Sequence, residues 1–283
     1  MVPSQMRAVT LDVWHTLVQL SPAAEDLYLE QQVAALAGVV AASPRLPAAE
    51  LEGPAASPHE AARDAFEAAS RLGARGAPVA RLAVDAARRA GRVANAARWI
   101  EAIERLVEAQ PFEAVPGVAS ALEGLADRGY RTAVVSNLVG ETGPCMRRVL
   151  DRLGLARYIE SWAFSEELPW AKPAPEIFWQ ALAPLGAAPS EAIHIGDLAS
   201  DVLGARAAGF RCAVQFLGAR DYGKEYARLC GAHVAIDPPP EAMLEHWSGL
   251  PRLLDRVFGP EAAPPGPPTG ASGPTAQGSS GRT

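Results

Sequence analysis

Residues 7–14 read RAVTLDVW, a short apolar run rich in β-branched side chains that closes on an aspartate and a tryptophan. Apolar residues at successive positions predict a strand buried on both faces, as in a parallel sheet, delivering Asp12 at its carboxyl end. The same pattern returns in YRTAVVSN (130–137), SWAFS (161–165), AIHIGD (192–197), CAVQF (212–216) and HVAID (233–237). Helical patterns stand between these runs: GVASALEGLADRG (117–129), PCMRRVLDRLG (144–154), PEIFWQALAPLG (175–186) and SDVLGARAAG (200–209). Strands alternating with helices of about 10 to 15 residues predict βαβ units, hence an α/β fold with a Rossmann-like parallel sheet. Such sheets bind ligands at the carboxyl ends of their strands.

One long segment breaks the alternation. From about residue 22 to residue 110 the chain is Ala-rich with spaced Glu and Arg, and AEDLYLEQQVAALAGVV (24–40) and AARWIEAIERLVEAQ (96–110) have helical periodicity. The second places Ile100, Ile103, Leu106 and Val107 on one face. The stretches SPRLPAAELEGPAASPHE (43–60) and LGARGAPVA (72–80) carry the Pro and Gly of turns. The expected organisation is an α/β core over residues 1–17 and 111–258 with an all-helical insert over 18–110. Residues 259–283 are Pro-, Gly- and Ser-rich and are expected to be disordered.

The 283 residues are 49% hydrophobic and 20% charged, the balance of a globular protein. A formal charge of -6, with no dense basic run, argues against a nucleic-acid partner. Cys145, Cys212 and Cys230 form no CxxC pair, so neither a disulfide framework nor a zinc site is suggested. No apolar run approaches the roughly 20 residues of a membrane span. The N-terminus lacks a signal-peptide layout, since Arg7 interrupts it and its apolar stretch is short and contains Asp12. A cytoplasmic protein without a membrane partner is therefore expected, and the oligomeric state is left open.

Polar residues stand at four strand ends or loops: Asp12; Ser136 with Asn137; Lys172; and Asp197 with Asp201. Each alone has an ordinary explanation as a turn former, a helix cap or a surface lysine. Together, LDVWHTL, VVSN, AKPAPEIF and IGDLASD resemble, in order, the four motifs of the haloacid dehalogenase-like superfamily. The resemblance runs over roughly residues 6–236 and implies a Rossmann-like core with a helical cap inserted after the first motif.

A carboxylate such as Asp12 can attack phosphorus or carbon and form a covalent ester. Three carboxylates in one crevice raise one another's pKa unless a cation neutralises them, and oxygen ligands with phosphate suit Mg²⁺. The resemblance implies metal ligation by Asp12, the Trp14 backbone carbonyl and Asp197, with Asp201 an outer carboxylate. It makes Asp12, Ser136 and Lys172 catalytic, and Ser136, Asn137 and Lys172 the contacts of a small phosphorylated substrate. Helix capping remains the other reading of Ser136 and Asn137.

Most phosphatases of the superfamily carry a second Asp where Trp14 stands, and indole cannot act as their general acid. His15 could substitute, since imidazole titrates in the useful range, but alternation along an extended chain points its ring away from the nucleophile. Haloacid dehalogenases proper have a non-acidic residue at the Trp14 position, use no metal and hold substrate with a cap Arg. Arg45 lies at a comparable distance but in a surface-turn setting, and the pair Asp197 and Asp201 favours the metal enzyme. A non-catalytic binding protein is the third reading. Trp99 and Trp170 are either pocket or packing residues, and packing is the commoner use.

Overall fold

The protein is described from a computed structural model covering residues 7–51, 53–71, 75–232 and 234–259. The disorder expected for the tail lies outside these residues beyond Gly259. Strand β1 (Ala8–Leu11) leads through β2 (Val18–Gln19) into helices α1 (Pro22–Ala42), α2 (Pro58–Ser70), α3 (Ala80–Arg89) and α4 (Ala96–Ala109), and the chain returns as β3 (Glu113–Ala114). Alternation follows: α5 (Val118–Asp127), β4 (Arg131–Ser136), α6 (Gly143–Arg152), β5 (Ser161–Phe164), α7 (Pro175–Leu182), β6 (Ala192–Gly196), α8 (Ala199–Ala207), β7 (Cys212–Phe216), α9 (Lys224–Cys230), β8 (Ala242–Leu244) and α10 (Leu250–Phe258).

The main sheet has the order β5-β4-β1-β6-β7-β8, and every neighbouring pair is parallel. β1 pairs with β4 from Ala8↔Arg131 to Leu11↔Val134, and with β6 from Ala8↔Ala192 to Leu11↔Ile195. The chain builds outward from β1 through β4 to β5 and then restarts on the other side at β6. The β1/β6 boundary is thus the switch point at whose carboxyl end a crevice forms.

The two faces of the sheet differ in side-chain size. Val9, Leu11, Val134, Ile193, Ile195 and Val214 lie in one core cluster. On the other face Ala8, Ala133, Ala163, Ala192 and Ala213 meet Ile177 and Phe178 of α7 and Val202 and Ala205 of α8. Alanines there let both helices sit close to the strands, and Gly204 does the same between the helices, since a Cβ would overlap the Phe178 ring.

α1, α2 and α4 start where polar side chains satisfy their free amides: Ser21 accepts from the Ala24 N–H, Ser57 forms a capping box with Glu60, and Asn95 accepts from the Arg98 N–H. Pro at the first turn of α1 and α2 removes an amide that would go unpaired. The four helices pack through Leu36, Ala65, Phe66, Ala86 and Trp99, and the Trp99 indole donates to Val79 O at 3.1 Å. Trp99 is therefore packing, and the buried stripe of α4 is Trp99, Ile103 and Val107, with Ile100 and Leu106 only half-buried at its margins. β2 and β3 pair antiparallel, Val18↔Ala114 and Gln19↔Glu113, so the ends of this insert lie side by side.

One expected strand is corrected. Residues 234–236 of HVAID form no strand, and Val234 is 62% exposed. The place beside β7 is taken by Ala242–Leu244, whose Ala242 and Leu244 are buried while Met243 faces out, the alternation of an edge strand. No helix among the described residues is long and apolar enough to cross a membrane.

Phe178 is fully buried, edge-on to His194 at 4.9 Å between ring centres and to Phe210 at 5.6 Å. Phe178→Ala should destabilise the fold by about 3–5 kcal/mol, read by denaturant unfolding. A loss below about 1 kcal/mol would show that α7 and α8 close over the gap.

Candidate active site

The crevice at the switch point collects three carboxylates. Asp12 follows β1, and its N–H donates to Ile195 O at 3.0 Å, extending the β1–β6 ladder by one residue. Asp197 directly follows Gly196, the last residue of β6. Asp201 lies in the first turn of α8, where its Oδ2 accepts the Leu198 N–H at 2.9 Å. Gly196 is required here, because a Cβ would occupy the position of the Asp201 carboxylate. One oxygen from each of the three Asp residues lies within 4.8 Å of the others, and all three residues are at most 4% exposed.

Lys172 supplies the opposing charge. Its Nζ is 2.6 Å from Asp12 Oδ1 and 2.6 Å from Asp201 Oδ1, with the residue 3% exposed. Burial alone would lower the pKa of this ammonium, but the two carboxylates outweigh it and hold the pKa above the ordinary lysine value. Burial would likewise raise Asp201, yet Lys172 and His194 keep it below the usual carboxylate range. Asn137 spends both ends of its carboxamide on the Lys172 backbone: Oδ1 accepts the Lys172 N–H at 2.8 Å and Nδ2 donates to Lys172 O at 2.9 Å.

His194, on β6, was not singled out in the sequence. It is fully buried, with Nε2 2.9 Å from Asp201 Oδ1 and Nδ1 2.8 Å from Thr10 Oγ1. Burial, its largest influence, lowers its pKa and keeps it neutral. A neutral ring facing a carboxylate puts its proton on Nε2, so Nδ1 accepts from the Thr10 hydroxyl. The signal was present: a polar residue inside an apolar strand, three positions before Asp197.

The protein's own groups leave the centre unbalanced. The approach of Lys172 to Asp12 Oδ1 is an ion pair without hydrogen-bond alignment. Asp12 Oδ1, Asp197 Oδ1 and Ser136 Oγ, all buried, have no hydrogen-bond partner among the described residues. Asp197 Oδ2 accepts the Tyr222 hydroxyl at 3.1 Å. Burial first, then the charges of Asp12 and Asp201, hold the Asp197 carboxyl well above its usual range. Orphaned carboxylate oxygens facing one another, all of them hard donors, fit a divalent cation.

Trp14 and His15 take distinct environments. The Trp14 indole stacks on Tyr28 of α1 at 6.1 Å and 25°, and meets Phe112 edge-on at 5.2 Å. His15 has φ +53°, so the extended-chain alternation expected of it does not apply. Its ring is nonetheless committed elsewhere: Nδ1 lies 2.9 Å from Ala219 O and Nε2 lies 2.7 Å from Glu25 Oε1, while Glu25 Oε2 accepts the Gly223 N–H at 2.6 Å. A cavity of about 310 Å³ opens over Asp12 and Lys172, walled by Trp14 and Asn137 from the core side and by Tyr28 and Phe66 from the helical insert. Arg45 is exposed and, like Trp170, is not among the cavity's walls.

The family model for haloacid dehalogenase-like hydrolases matches residues 6–209. Phosphoglycolate phosphatase 1 of Pseudomonas aeruginosa is 33% identical over 116 residues, covering 41% of this chain and 40% of that protein. The chain spans between 38% and 62% of the curated relatives it matches. Among solved structures, a 2-haloacid dehalogenase from Pseudomonas syringae pv. tomato superposes with a TM-score of 0.58 at 24% identity, over 89% of this chain and 99% of that one. A HAD phosphatase from Thermococcus onnurineus superposes at 0.56 with 21% identity, over 88% and 98%. At these identities the two structures speak for the fold alone. With the motifs in order along one sheet and the family model spanning most of the chain, this protein belongs to the haloacid dehalogenase-like hydrolases.

Proposed function

We propose that the chain is a metal-dependent phosphatase that acts on a small phosphorylated substrate, with Asp12 as nucleophile. The observation that carries this reading is the pair of buried oxygens Asp12 Oδ1 and Asp197 Oδ1, which accept no hydrogen bond from the described residues, beside the Lys172 ammonium. Asp12, Asp197 and the Trp14 carbonyl would hold Mg²⁺, which would draw charge from the phosphoryl oxygens. Asp201 has its oxygens engaged by Lys172, His194 and the Leu198 N–H and acts as an outer carboxylate.

In the first half of the reaction an Asp12 carboxylate oxygen bonds to phosphorus as the bond to the leaving oxygen breaks, giving an aspartyl phosphate. Water then attacks phosphorus and releases Asp12 and inorganic phosphate. Lys172 offsets charge on the phosphoryl oxygens as a point cation, and the Ser136 hydroxyl, without a hydrogen-bond partner among the described residues, is available as a donor. Asn137 acts through Lys172, whose backbone it clamps. Trp14 offers no proton to the leaving oxygen, so esters with good leaving groups are favoured.

The dehalogenase reading leaves Asp197 without a task. Helices α1–α4, as the bulk of residues 18–110, are proposed as the cap over a core of residues 1–17 and 111–258. The relatives named for phosphoglycolate contribute only the phosphate-ester class to this proposal. The three cysteines are free thiols, which supports a reducing compartment such as the cytoplasm.

Hydrolysis of p-nitrophenyl phosphate should stop in EDTA and return with Mg²⁺, and Asp12→Asn should lower kcat by at least about 10³-fold at unchanged melting temperature. Undiminished turnover in EDTA, or an active Asp12→Asn protein, refutes the mechanism. Trp14→Asp should restore a leaving-group acid, raising the alkyl- over aryl-phosphate ratio of kcat/KM by about 10²-fold, within the usual span of general acid catalysis. An intact, metal-binding variant with an unchanged ratio would place Trp14 away from the leaving oxygen.

A further inference from the structure

The cavity over Asp12 has an uneven set of charges. Among the described residues its walls carry the carboxyl groups of Asp12, Glu25 and Glu141 against one ammonium, that of Lys172. Glu25 is occupied by His15 and the Gly223 N–H. Glu141 is different. It follows β4 by five residues, is 6% exposed, and uses Oε1 to accept both the Tyr28 hydroxyl at 3.1 Å and the Gln32 amide at 3.0 Å. Both donors are uncharged and come from α1. The joint is tight, since a Cβ on neighbouring Gly140 would lie 2.7 Å from Gln32 Nε2, and this closeness fixes the Glu141 carboxyl in place.

Much of the remaining wall is apolar or aromatic, with Trp14, Leu29, Phe66 and Leu229 prominent, and its further polar side chains, among them Ser70, Asn137 and Ser200, are uncharged. Arg75 and Arg81 do not compensate. They line a neighbouring cavity of about 220 Å³, both are exposed, and Arg81 is paired with Asp85 at 3.4 Å. Lys172, held against Asp12, is placed for the phosphoryl group, so a second anion on the leaving group would meet no further cation among the described lining residues and would face Glu141. We infer that the cavity selects phosphate esters whose leaving group is uncharged or cationic, largely apolar, and able to donate a hydrogen bond to Glu141, and that it rejects esters carrying a carboxylate. This inference rests on the phosphatase reading and names its substrate class.

The test compares phenyl phosphate, 4-(aminomethyl)phenyl phosphate and 4-carboxyphenyl phosphate, whose leaving phenols have similar acidity, in Mg²⁺ with the full chain. The carboxylate should lower kcat/KM by about 100-fold relative to phenyl phosphate, the scale of a like-charge repulsion across a few ångströms in a partly desolvated site. The amine should match or exceed phenyl phosphate. Glu141→Gln should narrow the phenyl-to-carboxyphenyl ratio by about tenfold, and a ratio taken within one protein is insensitive to a partial loss of folded enzyme. Parity of the carboxylate ester, or a ratio unmoved in Glu141→Gln, overturns the inference and leaves the phosphatase reading standing. No phosphate release from any of the three overturns both.

Discussion

The Lys172 ammonium, 2.6 Å from a carboxylate oxygen on each side, is the contact on which the rest of the centre depends. Removing it would leave three buried carboxylates in one crevice with no fixed positive charge, a desolvation cost of several kcal/mol per ion. The fold brings this arrangement together from loops far apart in sequence: the end of β1, the segment before α7, and the start of α8. Each loop leaves the same edge of a parallel sheet, so register alone delivers the charges to one place. The supporting bonds are equally directional. Asn137 clamps the Lys172 backbone from the end of β4, and Thr10, through His194, orients Asp201 from within the sheet.

Trp14 changes what the crevice presents. Where most phosphatases of the family present a carboxylate, this chain presents an indole packed between Tyr28 and Phe112. The aromatic contact joins the loop after Asp12 to α1 and gives the crevice wall an apolar stretch. An indole has no titratable proton near neutral pH, and what it presents to the crevice is a flat apolar surface.

Much of this was readable from local sequence. Apolar runs ending in Asp12, Ser136 and Asp197 announced buried parallel strands and their polar ends, because both properties are local. Residues whose meaning depends on distant partners were not readable. His15 gave no sign of its left-handed backbone, and Glu141 gave none of its meeting with Tyr28, 113 positions earlier. HVAID has strand composition, yet the place beside β7 is held by Ala242–Leu244. The two-residue strands β2 and β3 are too short to leave any periodicity. His194 was the nearest miss, a polar residue in a buried strand whose partner, Asp201, lies seven residues further on in the first turn of α8.

The pairing of Val18 with Ala114 makes the whole stretch between them, in polymer terms, a single large loop closed at its neck. The entropy of closing such a loop grows only logarithmically, by about 0.6 kcal/mol for each doubling of length. Helices can therefore be lengthened, exchanged or reshuffled between those two positions at little thermodynamic expense to the sheet. Tyr28 and Gln32 belong to that interchangeable stretch, whereas Asp12, Lys172 and Asp197 do not. The charged crevice and the wall that α1 sets over it thus lie in segments free to diverge at different speeds, and the wall can be remodelled without disturbing the charges.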